Sequence, residues 1–124
     1  MKLLPEEHPK GWGKELWIAN NEKYCGKKLI LNKGKKCSVH FHKIKDETFF
    51  VQSGKVQLDM YPEGFPGRQE RIIMEPGTTV RIPQNTPHQF YGLEDSEIFE
   101  FSTQHFEEDS YRLAPGDSQK SSNL

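Results

Sequence analysis

The chain has 124 residues, room for one domain with one core, and its 17 Lys and Arg against 18 Asp and Glu leave a net charge of -1. That balance excludes the broad positive field on which nonspecific binding to nucleic acid or to an anionic membrane surface depends. Alanine occurs only at Ala19 and Ala114, while Gly and Pro number 10 and 8, a mix poor in helix formers and rich in turn formers that argues against a mostly helical fold.

The chain opens Met1-Lys2-Leu3-Leu4-Pro5-Glu6-Glu7. Its apolar run stops after two leucines and meets acids, so it does not read as a signal peptide, and no stretch reaches membrane-spanning length. A cytoplasmic protein is expected. His8 falls in a Pro-flanked leader and is set aside. Trp12, Trp17 and Ile18 form an apolar edge that belongs to the core or to a second subunit in a homodimer. Cys25 and Cys37 form no CxxC pair, and in a reducing compartment both are expected as free thiols.

Turn signals then recur at short intervals, at residues 20–21, 32–34, 53–54, 62–67, 75–77, 83–85 and 93–95, and segments of strand length lie between them. In Cys37-Ser38-Val39-His40-Phe41-His42 the residues alternate, which places His40 and His42 on one face of a strand and Val39 and Phe41 on the other. Residues 47–51 read as the next strand. Residues 55–61 alternate polar and apolar at every step, and residues 79–82 and 97–101 share the β enrichment. Many short, evenly spaced strands predict an all-β sandwich or barrel. From Ala114 to the end apolar residues are missing until Leu124, so residues 1–113 are expected as the domain and 114–124 as a mobile tail.

Histidine carries the chemistry. Two imidazoles on one strand face converge on a single metal ion if a third group lies opposite, and Glu47 and His88 are placed to complete such a set. The spacing is specific: Gly34, five residues, His40-Phe41-His42, four residues, Glu47, six residues, Gly54 resembles the first motif of the cupin family at every defined position. Gly77, Pro83, Asn85, His88 and Gly92 resemble the second. Asn85 stands where the family has Gly, and Asn is the next residue best able to adopt a left-handed turn. Gly92 stands where the family has Asn. The resemblance covers about residues 12 to 113. It implies a cupin double-sheet jelly-roll barrel whose metal ligands are His40, His42, Glu47 and His88. The cofactor it implies is one divalent transition metal ion: Mn, Zn, Fe, Co or Ni.

Further stretches resemble the cupin domain of type II mannose-6-phosphate isomerases and the related mannose-1-phosphate guanylyltransferases. They are Lys10-Gly11-Trp12-Gly13, the segment from Ser38 through Lys45 to Glu47, and the closing segment from Phe99 through Asp109 to Arg112-Leu113. D-lyxose isomerases carry the same HxH, Glu and His set. The resemblance implies aldose–ketose isomerisation of a small sugar or sugar phosphate, with a metal ion stabilising negative charge on neighbouring oxygens. Glu100 and Asp109 are the expected catalytic carboxylates, with Glu107 and His105 weighed beside them. Lys45 and Arg112 are expected at the barrel mouth as substrate anchors, with Asp109 either orienting Arg112 or acting as base. The alternatives are a noncatalytic cupin binding a sugar-like or carboxylate ligand, and an iron-dependent dioxygenase or lyase. No GxxxxGK(S/T), GxGxxG or GxSxG occurs, so nucleotide hydrolysis, dinucleotide chemistry and serine hydrolysis find no support.

Overall fold

The computed structural model describes residues 1–117. The strands are β1 (Glu6–Lys10), β2 (Gly13–Asn20), β3 (Cys25–Leu31), β4 (Val39–Phe41), β5 (Glu47–Ser53), β6 (Val56–Met60), β7 (Glu70–Met74), β8 (Thr79–Ile82), β9 (His88–Gly92), β10 (Ser96–Ser102) and β11 (Tyr111–Ala114). One 3-10 turn, Glu107–Asp109, precedes β11. Among the described residues no helix is long and apolar enough to cross a membrane.

Two antiparallel sheets result, one of order β1-β2-β3-β10-β5-β8 and one of order β11-β4-β9-β6-β7. This is the all-β double-sheet jelly roll expected from the strand spacing and the motif resemblance. Alternation decides which face each strand buries: Cys25, Lys27, Leu29 and Leu31 point inward from β3, and Ser96, Ile98 and Glu100 point inward from β10. Leu29, Leu31, Val51, Val56, Leu58, Ile82, Phe90 and Ile98 pack with Trp12 into one core. Burial of each such side chain contributes about 1.5–3 kcal/mol against the entropy of ordering the chain.

Two turns show why the motif residues stand where they do. Asn85 adopts the left-handed conformation, φ 62°, and donates its backbone N–H to the His42 carbonyl at 2.7 Å. Gly54 also has positive φ, and a side chain there would collide with Asp95 and Ser96 at the start of β10. Gly92 gains its place from close packing: a Cβ would come within 2.7 Å of the Asn32 carbonyl oxygen, and its own N–H donates to Lys35 at 2.9 Å.

The N-terminal leader is a strand. β1 pairs with β2 at the edge of the six-stranded sheet, in a register where Pro9 faces Lys14; an edge tolerates a proline because one side of the strand makes no ladder. His8, set aside in the sequence, stacks on Trp17 at 3.8 Å between ring centroids. Of the expected apolar edge, Trp12 is core, Trp17 lies half-buried under His8, and Ile18 is exposed. At the other end Ala114 closes β11, and Asp117 receives the Lys36 N–H on Oδ2 at 2.8 Å while donating its own N–H to the Lys36 carbonyl at 2.8 Å. Residues 114–117 therefore lie against the body of the domain, and the rest of the expected tail, 118–124, lies outside the described residues.

Cys25 and Cys37 are free and buried. Burial pushes the Cys37 thiol up to about 12, against the hydrogen bond its sulfur accepts from the Phe90 N–H at 3.3 Å. In the native protein at pH 8 both thiols should resist alkylation, and after denaturation without reductant both should label; mass spectrometry showing a disulfide would contradict this arrangement.

Candidate metal centre

His40 and His42 come from β4 and the residue after it, His88 opens β9, and Glu47 opens β5. Register brings His40 opposite His88 across the β4–β9 pair. Ring centroids lie 5.1 Å apart for His40 and His42 and 4.4 Å apart for His40 and His88. One nitrogen from each ring lies within 4.8 Å of those of the other two. The carboxylate of Glu47 closes the group, with Oε2 at 3.2 Å from His42 Nε2 and 3.5 Å from His88 Nε2.

Backbone carbonyls fix the direction of all three rings. His40 Nδ1 donates to Ser38 O at 2.8 Å, His42 Nδ1 to Asp109 O at 2.8 Å, and His88 Nδ1 to Thr86 O at 2.9 Å. A carbonyl only accepts, so each Nδ1 carries a proton and each Nε2 is turned toward the cluster. Burial, together with the neighbouring imidazoles His88 and His42, holds His40 well below the ordinary histidine range. Burial likewise lowers His88, against the pull of Glu47. For Glu47 burial opposes ionisation, but the Lys45 ammonium leads the interactions that outweigh burial and hold its carboxyl well below the usual range. Glu47 Oε2 and His88 Nε2 are buried without a hydrogen-bond partner. Three ring nitrogens and a carboxylate oxygen thus face one another in a buried place, an arrangement that a cation satisfies. The donor set fits a divalent transition ion, and backbone-bonded imidazoles are how such ligands are ordinarily oriented.

A cavity of about 620 Å³, part of it open to solvent, adjoins this cluster and is lined by His40, His42 and Glu47, with His88 fully buried behind them. Its inner wall carries two lysine–carboxylate pairs. Lys27 meets Glu15 at 3.1 Å, and Glu15 also accepts from Trp17 Nε1 at 2.8 Å. Burial resists ionisation of Glu15, yet Lys27, Lys10 and the Trp17 hydrogen bond bring it down to about 2. Lys45 donates to Glu100 Oε2 at 3.1 Å and to His105 Nδ1 at 3.0 Å, and Ser102 donates to the same carboxylate oxygen at 2.8 Å. Burial and the Lys45 ammonium keep His105 neutral, down to about 3.

Two expectations are corrected. Lys45 is not a mouth anchor: it is buried at the cavity wall, and although burial opposes its charge, Glu100 and Glu47 more than offset that cost and raise it. Asp109 neither lines the cavity nor pairs with Arg112. Its carboxylate accepts the backbone N–H groups of Lys43, Ile44 and Lys45 at 2.9, 3.1 and 2.9 Å, while its carbonyl orients His42. Asp109 is therefore a positioning residue for the loop that connects His42 to Glu47. Glu100 and Arg112 do line the cavity, Arg112 from β11 opposite His40. Glu15 and Lys27 were not singled out from the sequence, although alternation in β3 places Lys27 on the face of Leu29 and Leu31. Glu107 is exposed at the rim.

Comparisons with known proteins agree with the fold. Residues 28–103 match the cupin domain family. The chain is 32% identical over 121 residues to a D-lyxose ketol-isomerase from Thermofilum sp. (strain ex4484_79), an overlap of 78% of this chain and 66% of that protein. The chain thus spans just under two thirds of the length of that curated relative. The capsular polysaccharide assembling protein CapF from Staphylococcus aureus superposes with a TM-score of 0.78 at 18% identity, over 91% of this chain and 35% of CapF. Oxalate decarboxylase from Bacillus subtilis, a protein with Mn(II) centres, superposes with a TM-score of 0.75 at 17% identity, over 88% of this chain and 30% of the decarboxylase. The two solved structures speak for the fold alone.

Two outcomes are expected. Protein equilibrated with a divalent transition metal should retain about one ion per chain, and His40→Ala, His42→Ala and His88→Ala should each sharply lower that content by elemental analysis. Full occupancy in a His40/His42 double variant would refute the site. Asp109→Ala, which strips three backbone donors of their acceptor, should cost about 2–3 kcal/mol in urea unfolding and weaken metal binding about tenfold or more; wild-type values for both would show that the loop holds itself.

Proposed function

Since this chain belongs to the cupin family through its domain at residues 28–103, we propose that it is a metal-dependent isomerase interconverting a small aldose and its ketose. The observation that carries the reading is the convergence of three histidine Nε2 atoms and Glu47 Oε2 beside a cavity that also holds the buried carboxylate of Glu100. The likeness to a D-lyxose ketol-isomerase supports the substrate class. Paired donors and acceptors along the cavity wall, Lys27 with Glu15 and Lys45 with Glu100, suit a ligand rich in hydroxyl groups.

In this isomerisation the proton on C2 of the aldose moves to C1 and the hydroxyl proton moves from O2 to O1, so composition and oxidation balance within one molecule. His40, His42, Glu47 and His88 would hold the ion. When bound, it supplies Lewis-acid stabilisation of the negative charge that develops on the two substrate oxygens. Glu100 moves the carbon-bound proton. Its Oε2 is taken by Lys45 and Ser102, and among the described residues its Oε1 receives no hydrogen bond, which leaves that oxygen to the substrate. Lys45, held between Glu100 and His105, keeps the carboxylate in place. His105 fixes the lysine from the far side and packs edge-on against Trp17 at 5.0 Å.

The test is a screen of aldoses and ketoses in deuterated water with each metal in turn. A substrate should gain deuterium at carbon, and Glu100→Gln should slow that exchange about 100-fold or more without loss of metal. Failure of every sugar to exchange with metal-loaded protein would overturn the isomerase. A rise in melting temperature with a sugar but no exchange would indicate a binding protein, and oxygen consumption with iron a dioxygenase.

A further inference from the structure

We propose that the outer end of the cavity binds an oxyanion, a phosphate or carboxylate carried by the ligand, between Lys10 and Arg112. The proposal rests on the sugar-isomerase reading for what occupies the cavity deeper in, and on the distribution of charge for itself. Lys10 ends β1, at the edge of the six-stranded sheet, and Arg112 lies on β11, at the edge of the five-stranded sheet. Both line the cavity beside the histidine cluster, so the edge strands of opposite sheets each bring one cation to it.

The buried charges lining the cavity all have partners. Lys27 is taken by Glu15, Lys45 by Glu100, and Glu47 faces His42 and His88. Glu107 stands out in solvent, 4.0 Å from His105. Lys10 is close enough to help hold Glu15 ionised, yet among the described residues neither it nor Arg112 makes an ion pair. Asp109, near in sequence to Arg112, has its carboxylate committed to the backbone of residues 43–45. Two cations without ion-pair partners at one cavity suit an anionic group on the ligand. Arg112 offers a planar fork of donors for two oxygens, Lys10 a mobile point charge, and the Ser110 hydroxyl lines the same cavity. A phosphate and a carboxylate share this chemistry.

The experiment is calorimetric titration of the full chain, with and without metal, at low salt. The probes are inorganic phosphate, a hexose 6-phosphate, a hexuronate and the uncharged hexose. One charged sugar should bind about tenfold or more tighter than the uncharged one, by a margin that shrinks as salt is added. Whether the phosphate or the uronate gains it identifies the anion. Lys10→Gln and Arg112→Gln should each narrow the margin and the double variant should close it, with metal content retained as the measure of an intact fold. Equal binding of charged and uncharged sugars, or a margin that survives in the double variant, would overturn the proposal. Deuterium exchange reports separately on the isomerase: no exchange with the margin intact removes the isomerase and keeps the oxyanion site, whereas exchange without a margin does the reverse.

Discussion

The interior of this barrel is organised around three imidazole protons given to backbone carbonyls. Ser38, Thr86 and Asp109 each accept an Nδ1–H, and that single commitment turns three Nε2 atoms toward one point. In water a ring would choose its tautomer freely. Inside the barrel the carbonyls choose it, and burial together with the crowding of like rings keeps His40 and His88 uncharged. Among the described residues Glu47 is the carboxylate that joins the cluster, with its Oε2 buried beside His42 and His88. Leaving such groups unsatisfied costs of the order of 1–3 kcal/mol each, a cost that a cation at this point would relieve and that the strands carrying the cluster must otherwise bear.

Holding them divides the barrel into two ends. At one end Leu29, Leu31, Val51, Val56, Leu58 and Ile98 make a dry core. At the other, one row across the sheet carries Trp17, Lys27, Glu100 and Phe49 in register, so charges occupy positions that the alternation reserves for apolar side chains. Buried ion pairs repay their desolvation poorly as a source of stability. The two lysine–carboxylate pairs are kept in a different currency: hydrogen bonds from Trp17 to Glu15, from Ser102 to Glu100 and from Lys45 to the His105 ring nitrogen fix them beside the histidines. The loop of residues 43–45 is fixed by the same logic, through the three N–H groups gathered by Asp109.

Much of this was legible along the chain, because alternation acts at short range. Strands at residues 79–82 and 97–101 appear where β enrichment puts them, and Asn85 takes the left-handed turn in place of glycine. The leader was misread because Pro9 counts against a strand in sequence, whereas an edge strand has no use for the N–H that proline lacks. Asp109 and Lys45 were misread for a different reason. Nothing within a few residues of Asp109 shows that its acceptors will be filled from 64 to 66 positions away, and a lysine in an otherwise polar loop reads as a surface charge until a carboxylate 55 positions later is folded over it.

By itself, then, the sequence determined the periodic features of this protein. These are an all-β fold, the pairing of His40 with His42 on one strand face, and the spacings that set Glu47 in the first motif and His88 in the second. Each depends on the two-residue repeat of a strand or on a turn that only particular residues can make. The tertiary structure alone decided which nitrogen of each ring faces the cluster, which lysines are spent on buried carboxylates, and which cations remain at the cavity without partners. Those depend on backbone carbonyls and charges that meet only when the two sheets close, and their energies are set by burial, which no stretch of sequence possesses until the barrel exists.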